Sequence, residues 1–321
     1  MQSFEFGVYP GGMSGTETGM TSGPVDHPQL INGALDQLQS SAQTLIVRAY
    51  RGFKGAGNVS SETPLLPEQY LFRRQLDLVL CFQSPTYNTS DWQSFITSAI
   101  ERFSHHLRYL QITEEANVNL PSLDGHFPDS KRALVEGVVW AKKEVARLGL
   151  DTYIGFNATP DFNPDKQFWK EIHELASQEF YQSLDYVGLD FFPDVFRPLP
   201  TGKDGSDLNG VLRMILTMFR DDIKSAGINR NISLHITENG WPTSQSRTEI
   251  QQAEFLSSIV RAVFELRNEF NIKTYELFSL RDANSNIDDI FYQFGILRDD
   301  YSRKPAFSVF QKLIKDCCTS T

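Results

Sequence analysis

Three glutamates and one arginine stand where this chain could do chemistry. Glu238 closes the stretch 231–241, N-I-S-L-H-I-T-E-N-G-W, whose first half alternates Ile232, Leu234 and Ile236 with Ser233, His235 and Thr237. That period of two predicts a strand, and it stops at the turn signal Glu238-Asn239-Gly240. A second apolar run, residues 107–112, ends in Thr113-Glu114-Glu115, and Arg48 lies near the end of a third, T-L-I-V-R-A-Y over 44–50. An arginine inside such a strand is seldom buried without a partner, so Arg48 is expected either in a structural ion pair or beside a functional carboxylate. Two carboxyl groups facing each other across a cleft are the equipment for cleaving a glycosidic bond. One protonates the leaving oxygen while the other stabilises or attacks the oxocarbenium-like carbon. Their pKa values must then be driven apart, which burial and a nearby cation can do. Arg48 is the cation best placed to hold Glu238 ionised.

For residues so far apart in sequence to meet, strand ends must converge, and the order of elements supplies a way. Strands are expected over 4–9, 44–50, 76–82, 107–112, 152–156, 186–192, 231–237 and 273–280. Helices are expected over 26–38, from Pro67, over 91–104 with Asp91 as cap, and over 131–148, 165–181, 208–226 (stopped by Gly227), 247–270 and 304–315. The first helix carries Leu30, Ile31, Leu35 and Leu38 on one face. Eight strands alternating with eight helices through right-handed crossovers predict a closed (β/α)₈ barrel, one domain over residues 1–321. Its strand ends form the face where carboxylates read as catalytic, and Glu114, Glu115 and Glu238 all fall there. The pair His105-His106 precedes its strand and so belongs to the opposite face. An open doubly wound sheet would need a glycine-rich dinucleotide turn after the first strand with an acidic ribose partner. The loop 11–23 is glycine-rich but lacks the lysine and spacing of a phosphate cradle, and reads as a flexible loop at the barrel mouth.

Composition narrows the partners. Of 321 residues 40% are hydrophobic and 24 are Phe, ample for a packed core, and the net charge of −10 argues against nucleic acid and anionic membranes. No apolar run is long enough to span a bilayer. Residues 1–10 show neither a basic segment nor an apolar signal core, so the cytoplasm is the default expectation, or secretion if a signal has been removed. Cys81, Cys317 and Cys318 give no metal spacing and no disulfide framework. The histidines at 27, 105, 106, 126, 173 and 235 form no cluster at strand ends, so no metal is expected, and two carboxylates that do both proton transfer and displacement need no cofactor.

I-T-E-N-G-W at 236–241 resembles the nucleophile motif of clan A glycoside hydrolases, retaining (β/α)₈ glycosidases with catalytic Glu residues on strands four and seven. Other segments agree in register: Q-I-T-E-E-A-N at 111–117, V-R-A-Y at 47–50, L-D-Y-V-G-L-D-F-F-P at 184–193, and E-L-F-S-L-R-D-A-N with F-G-I-L-R-D-D-Y-S-R-K-P-A-F near the end. The resemblance covers most of the chain. It implies Glu238 as nucleophile, Glu115 as acid/base, Arg48 beneath the nucleophile, and a glycoside or oligo- or polysaccharide as substrate. Three positions depart from it. Glu114 stands where the family has the Asn that binds the sugar 2-hydroxyl, and a second carboxylate there would repel charge and leaves the acid as either Glu114 or Glu115. Phe191 and Phe192 stand where a Tyr often contacts the nucleophile, and Phe278 where a Trp floors the sugar site.

Further binding candidates are Trp241 as a sugar platform, Phe278 and Phe192 as stacking surfaces, and Asp190 for a hydroxyl. Asn239 is read as contacting substrate or simply favouring its turn, and Asp282 and Asn284 as sugar contacts or solvated loop residues. A non-catalytic carbohydrate-binding barrel is the alternative that the three departures favour. A metal-dependent barrel hydrolase would need the histidine cluster that is missing from the sequence.

Overall fold

The computed structural model describes residues 4–39, 44–58, 60–196 and 208–318. Its strands are β1 (Glu5–Val8), β2 (Ile46–Phe53), β3 (Ser61–Thr63), β4 (Gln75–Phe82), β5 (Leu107–Ile112), β6 (Tyr153–Ala158), β7 (Tyr186–Asp190), β8 (Ser233–Asn239) and β9 (Ile272–Leu277). All but β3 pair in parallel, and β1 pairs with both β2 and β9, which closes the sheet into an eight-stranded barrel. Around it run α1 (Pro28–Leu38), α2 (Thr89–Phe103), α3 (Ser130–Leu148), α4 (Gln167–Leu175), α5 (Gln178–Ser183), α6 (Leu208–Ser225), α7 (Glu249–Leu266) and α8 (Pro305–Cys318). This is the expected (β/α)₈ fold. No helix among the described residues is long and apolar enough to cross a membrane.

Alternation along each strand divides the residues between two cores. On β2, Val47 and Ala49 join the aliphatic core shared with the helices, as do Leu234 and Ile236 on β8. The intervening Ile46, Arg48 and Tyr50 belong to the other face, which lines the barrel. The polar half of the β8 pattern therefore faces the barrel interior rather than solvent, and His235 is only 3% exposed.

Several expected elements are corrected. The helix expected from Pro67 is a single 3₁₀ turn, Pro67–Tyr70. Strand β2 instead runs on to Phe53, where β3 pairs with it antiparallel, Tyr50 opposite Thr63. Arg48 consequently sits well inside its strand. The helix expected over 165–181 breaks in two, because Ser177 Oγ accepts from the Phe180 amide and starts α5 afresh. Asn88, not Asp91, caps α2, its Oδ1 accepting from the Asp91 amide at 3.1 Å. On α1 the buried face is Ile31, Ala34, Leu35 and Leu38, while Leu30 remains 47% exposed. Full burial of Ile31, Leu35 and Leu38 contributes about 1.5–3 kcal/mol each, more than half-buried Leu30 can. Gly227 does follow α6, at a φ of 78° that a side chain would resist.

Candidate active site

Arg48 is the centre of the upper barrel interior and is 1% exposed. Its three nitrogens diverge. One terminal nitrogen donates to Asp77 Oδ2 at 2.6 Å, the other to Gln111 Oε1 at 2.9 Å and Glu114 Oε2 at 3.4 Å, and Nε to Tyr50 Oη at 2.8 Å. Tyr50 in turn donates its hydroxyl to Glu238 Oε1. Arg48 Nε lies 3.6 Å from that same oxygen, an ion pair with the tyrosine hydroxyl bridging it rather than a direct hydrogen bond. Arg48 and Tyr50 reach the same pocket because they are two residues apart on one strand.

Glu114 and Glu115 are adjacent, yet both carboxyls are buried, at 7% and 9% exposure. In a regular strand neighbours point to opposite faces. Here Thr113 and Glu115 both take left-handed backbone, φ 67° and 45°, so the chain leaves β5 in a sharp turn. Two side chains fix that turn. Asp124 Oδ2 accepts from the amides of Phe82 at 2.6 Å and Glu114 at 2.8 Å, joining the ends of β4 and β5. Asn157 Oδ1 accepts from the Glu115 amide at 2.8 Å. The Glu114 carboxylate is fastened at Oε2 by Gln111 Nε2 at 2.7 Å, Asn157 Nδ2 at 3.2 Å and Arg48. No nitrogen donor holds the Glu115 carboxyl among the described residues; its hydrogen-bonding neighbour is Asp190.

Asp190, 1% exposed, accepts from Asn157 Nδ2 and from Thr237 Oγ1 at 2.6 Å. Glu114, Asp190 and Glu238 each offer one oxygen, and the three oxygens lie within 4.8 Å of one another, a spacing a cation could bridge. Burial pushes all of these carboxyls upward. Glu114 and Glu115 are driven well above the ordinary carboxylate range, with Asp190 and Glu238 adding their negative potential. Glu238 is raised by burial and Asp190, and pulled back to about 8 by Arg48 and the Tyr50 hydroxyl.

Other candidates fall into different places. Phe278 is 9% exposed and stacks on Tyr9 at 5.2 Å, with Phe192 and Phe294 meeting it edge-on, so the four rings form an aromatic wall. Trp241 is packed, stacked on Phe255 of α7 at 5.5 Å with the Arg247 guanidinium over its ring, and at 8% exposure presents no open platform. Asn239 spends its side chain on structure, donating to Phe191 O and accepting from Tyr275 Oη. Asp282 is not a solvated loop residue: it is fully buried and ion-paired to Lys304 at 2.8 Å. Asn284 caps a local turn by accepting from the Asn286 amide. His105 and His106 are exposed at the start of β5, the opposite end. The glycine-rich loop is pinned: Ser14 bonds Thr21 and Phe291 O, and Gly15 bridges Met20.

Sequence reasoning missed Tyr50, Asp77, Asn157, Asp124 and Glu276. Asp77 and Glu276 lie against each other beneath Arg48. Gly7 makes room for Glu276, since a Cβ there would come within 2.6 Å of Glu276 Cγ. A usable signal existed: L-D-L-V-L, G-F-N-A and Y-E-L-F each set one polar residue into an apolar strand, and such a residue must find partners inside.

No protein-family model matches the sequence, and no curated protein matches it. Solved structures do share the fold. A family 1 β-glucosidase from Thermotoga maritima superposes with a TM-score of 0.61 at 13% identity, covering 99% of this chain and 98% of that one. A family 39 glycoside hydrolase from Bacteroides cellulosilyticus WH2 gives 0.61 at 13% identity over 98% of this chain, which spans 64% of its length. A Bifidobacterium dentium β-glucuronidase, complexed with coumarin-3-O-glucuronide, gives 0.57 at 11%, this chain spanning 46% of it. Likeness at such identity establishes the barrel and nothing finer.

Proposed function

We propose that the protein is a retaining glycoside hydrolase in which Glu238 is the nucleophile and Glu115 the acid/base. The observation carrying this reading is the presentation of Glu238: a lone carboxylate at the end of β8, held by the Tyr50 hydroxyl and paired with Arg48 at 3.6 Å, beside the glutamate pair after β5. Of that pair, Glu114 is tied down by three donors at one oxygen, whereas Glu115 is free of nitrogen donors and has a carboxyl that can turn to a leaving group. The hydroxyl that resembling enzymes take from strand six, where this chain has Phe191 and Phe192, is supplied here by Tyr50. The solved glycosidases sharing the barrel support the reaction class.

Both steps run on the fraction of Glu238 that is ionised, since its pKa stands at about 8. Glu115 is held protonated by burial and by the charges of Asp190 and Glu238, so it can give its proton to the departing oxygen while Glu238 attacks the anomeric carbon. Esterification removes the Glu238 charge, and with it one cause of the raised Glu115 pKa. Glu115 can then take a proton from the water that displaces the sugar from Glu238. For retention, the Glu115 and Glu238 carboxyls should approach to roughly 5–5.5 Å around a bound sugar.

Trapping tests the reading. A 2-deoxy-2-fluoro glycoside with an activated leaving group, of a sugar the protein turns over, should add one fluorosugar to the intact mass, mapped to Glu238. A label elsewhere, or an inverted product by NMR, overturns it. A non-catalytic sugar-binding barrel is favoured by one observation, the Phe278–Phe192 wall that offers no hydrogen-bond donor to a sugar. Sugar binding without turnover of any glycoside would select that reading.

A further inference from the structure

The two peptide units flanking Glu114 have all four of their polar groups engaged. The Glu114 amide donates to Asp124 Oδ2 at 2.8 Å, and the Glu114 carbonyl accepts from the Asp124 amide at 3.1 Å. The Thr113 carbonyl accepts from Gln111 Nε2 at 2.9 Å, and the Glu115 amide donates to Asn157 Oδ1 at 2.8 Å. Asp124 thus grips Glu114 on both sides, and the same Oδ2 takes the Phe82 amide at the end of β4. The residues next to this grip, Thr113 and Glu115, are the left-handed ones, and neither is glycine. A residue with a side chain resists that conformation, so it persists only where surrounding bonds impose it. The outcome is that Glu115 turns back to the side where Glu114 already points, and both carboxyls are buried together.

Asp124 reaches this position by a loop that folds back on itself. Val118 donates to the Glu115 carbonyl at 2.9 Å, Leu123 donates to the Leu120 carbonyl at 2.9 Å, and a 3₁₀ turn over Asp124–His126 closes the return. Gly125 lets that turn lie against the outgoing chain, since a Cβ there would stand 2.4 Å from Val118 O. We propose that Asp124 is a positioning residue for proton transfer, clamping the turn so that the Glu115 carboxyl faces the leaving oxygen. Asp124 is itself fully buried and acts only through the Glu114–Glu115 backbone. This role rests on Glu115 being the acid/base.

Leaving-group dependence separates positioning from general support. In Asp124→Ala, kcat/KM on glycosides with poor leaving groups should fall by about 10²-fold, the scale of a misplaced catalytic group. On an aryl glycoside that leaves unaided, kcat/KM should stay near wild type, and azide should speed the second step. Asp124→Asn, which keeps an oxygen for the two amides, should recover most of the loss. Equal falls on both substrates, or no fall on either, overturn the proposal and spare the glycosidase reading. If Asp124→Ala does not fold, Gly125→Ala replaces it, displacing the turn while the carboxyl stays in the chain, with the same split expected. The clamp is also read without substrate. A crystal structure of either variant should show Thr113 or Glu115 released from left-handed backbone. If both keep it, Asp124 clamps nothing and the proposal falls. Release of the turn in a protein that hydrolyses no glycoside would sink the glycosidase reading and the catalytic half of this role, leaving the clamp.

Discussion

The two ends of the barrel interior bury polar groups in opposite ways. At the lower end, Ile46, Tyr109 and Tyr186 form a small cluster with Tyr153 against it. His235 stacks on Tyr186 at 4.1 Å and meets Tyr109 edge-on at 4.7 Å. His235 is held neutral, its pKa lowered to about 3 by burial and then by Arg108, Lys273 and Arg48. At the upper end, Arg48 binds Asp77, Gln111, Glu114 and Tyr50 at once, one cation shared among several buried carboxyls. A buried group that gives up its charge can be packed by shape. One that must keep it needs a network, and the network constrains several strands together.

Substitutions should separate the two ends sharply, the largest effect falling at Glu238. Glu238→Gln should lower turnover by several orders of magnitude while circular dichroism and thermal unfolding remain near wild type. If it stays fully active, Glu238 is only the last residue of a strand. Next comes Glu115→Ala, expected to cost about 10²–10⁴-fold on substrates with poor leaving groups. With an aryl glycoside that leaves unaided it should show a burst, and azide should speed the second step. That pattern appearing in Glu114→Ala instead would move the acid to Glu114.

Arg48→Met tests the network as structure. It strands Asp77, Glu114 and Glu238 without a cation, and denaturant unfolding should show a loss of about 3–5 kcal/mol. A loss near zero would mean the carboxyls neutralise themselves as easily as His235 does, erasing the contrast. Tyr50→Phe removes a hydrogen bond to the ionised form of Glu238. The pKa of Glu238, already near 8, should rise further, and the acid limb of kcat/KM should shift to higher pH. A limb that does not move would show that the hydroxyl serves packing alone. The smallest effect belongs to the lower end: His235→Phe should change stability by less than about 1.5 kcal/mol and leave the pH profile untouched.

What the sequence disclosed followed from local pattern. The β8 alternation broken at Glu238 and the apolar run broken at Glu114-Glu115 marked strand ends, and strand ends share one face in a barrel. What it hid was either long-range or conformational. The Tyr50–Glu238 contact spans 188 residues, and nothing beside Tyr50 announces it. The paired burial of Glu114 and Glu115 depends on two left-handed residues, neither of them glycine. Trp241 looked like a sugar platform because it follows the turn, but α7 brings Phe255 against it. The missing helix after β2 could not be seen either, since Pro67 opens a 3₁₀ turn as readily as an α-helix.

The spacing on β2 has a consequence for ancestry. Arg48 and Tyr50 share the barrel face because Ala49 alone separates them, and Ala49 is buried toward the helices. Inserting or deleting one residue there would send one of the two outward. A change of register there therefore breaks the pair at once, whereas point substitution can remove the tyrosine and leave the arginine in place. Distant relatives of this chain should divide into two lineages, one with Arg-x-Tyr on the second strand and a hydroxyl-free aromatic on the sixth, the other with the tyrosine on the sixth and any residue two places after the arginine. Sequences carrying neither tyrosine should be found only where the glutamate of the seventh strand has also been lost.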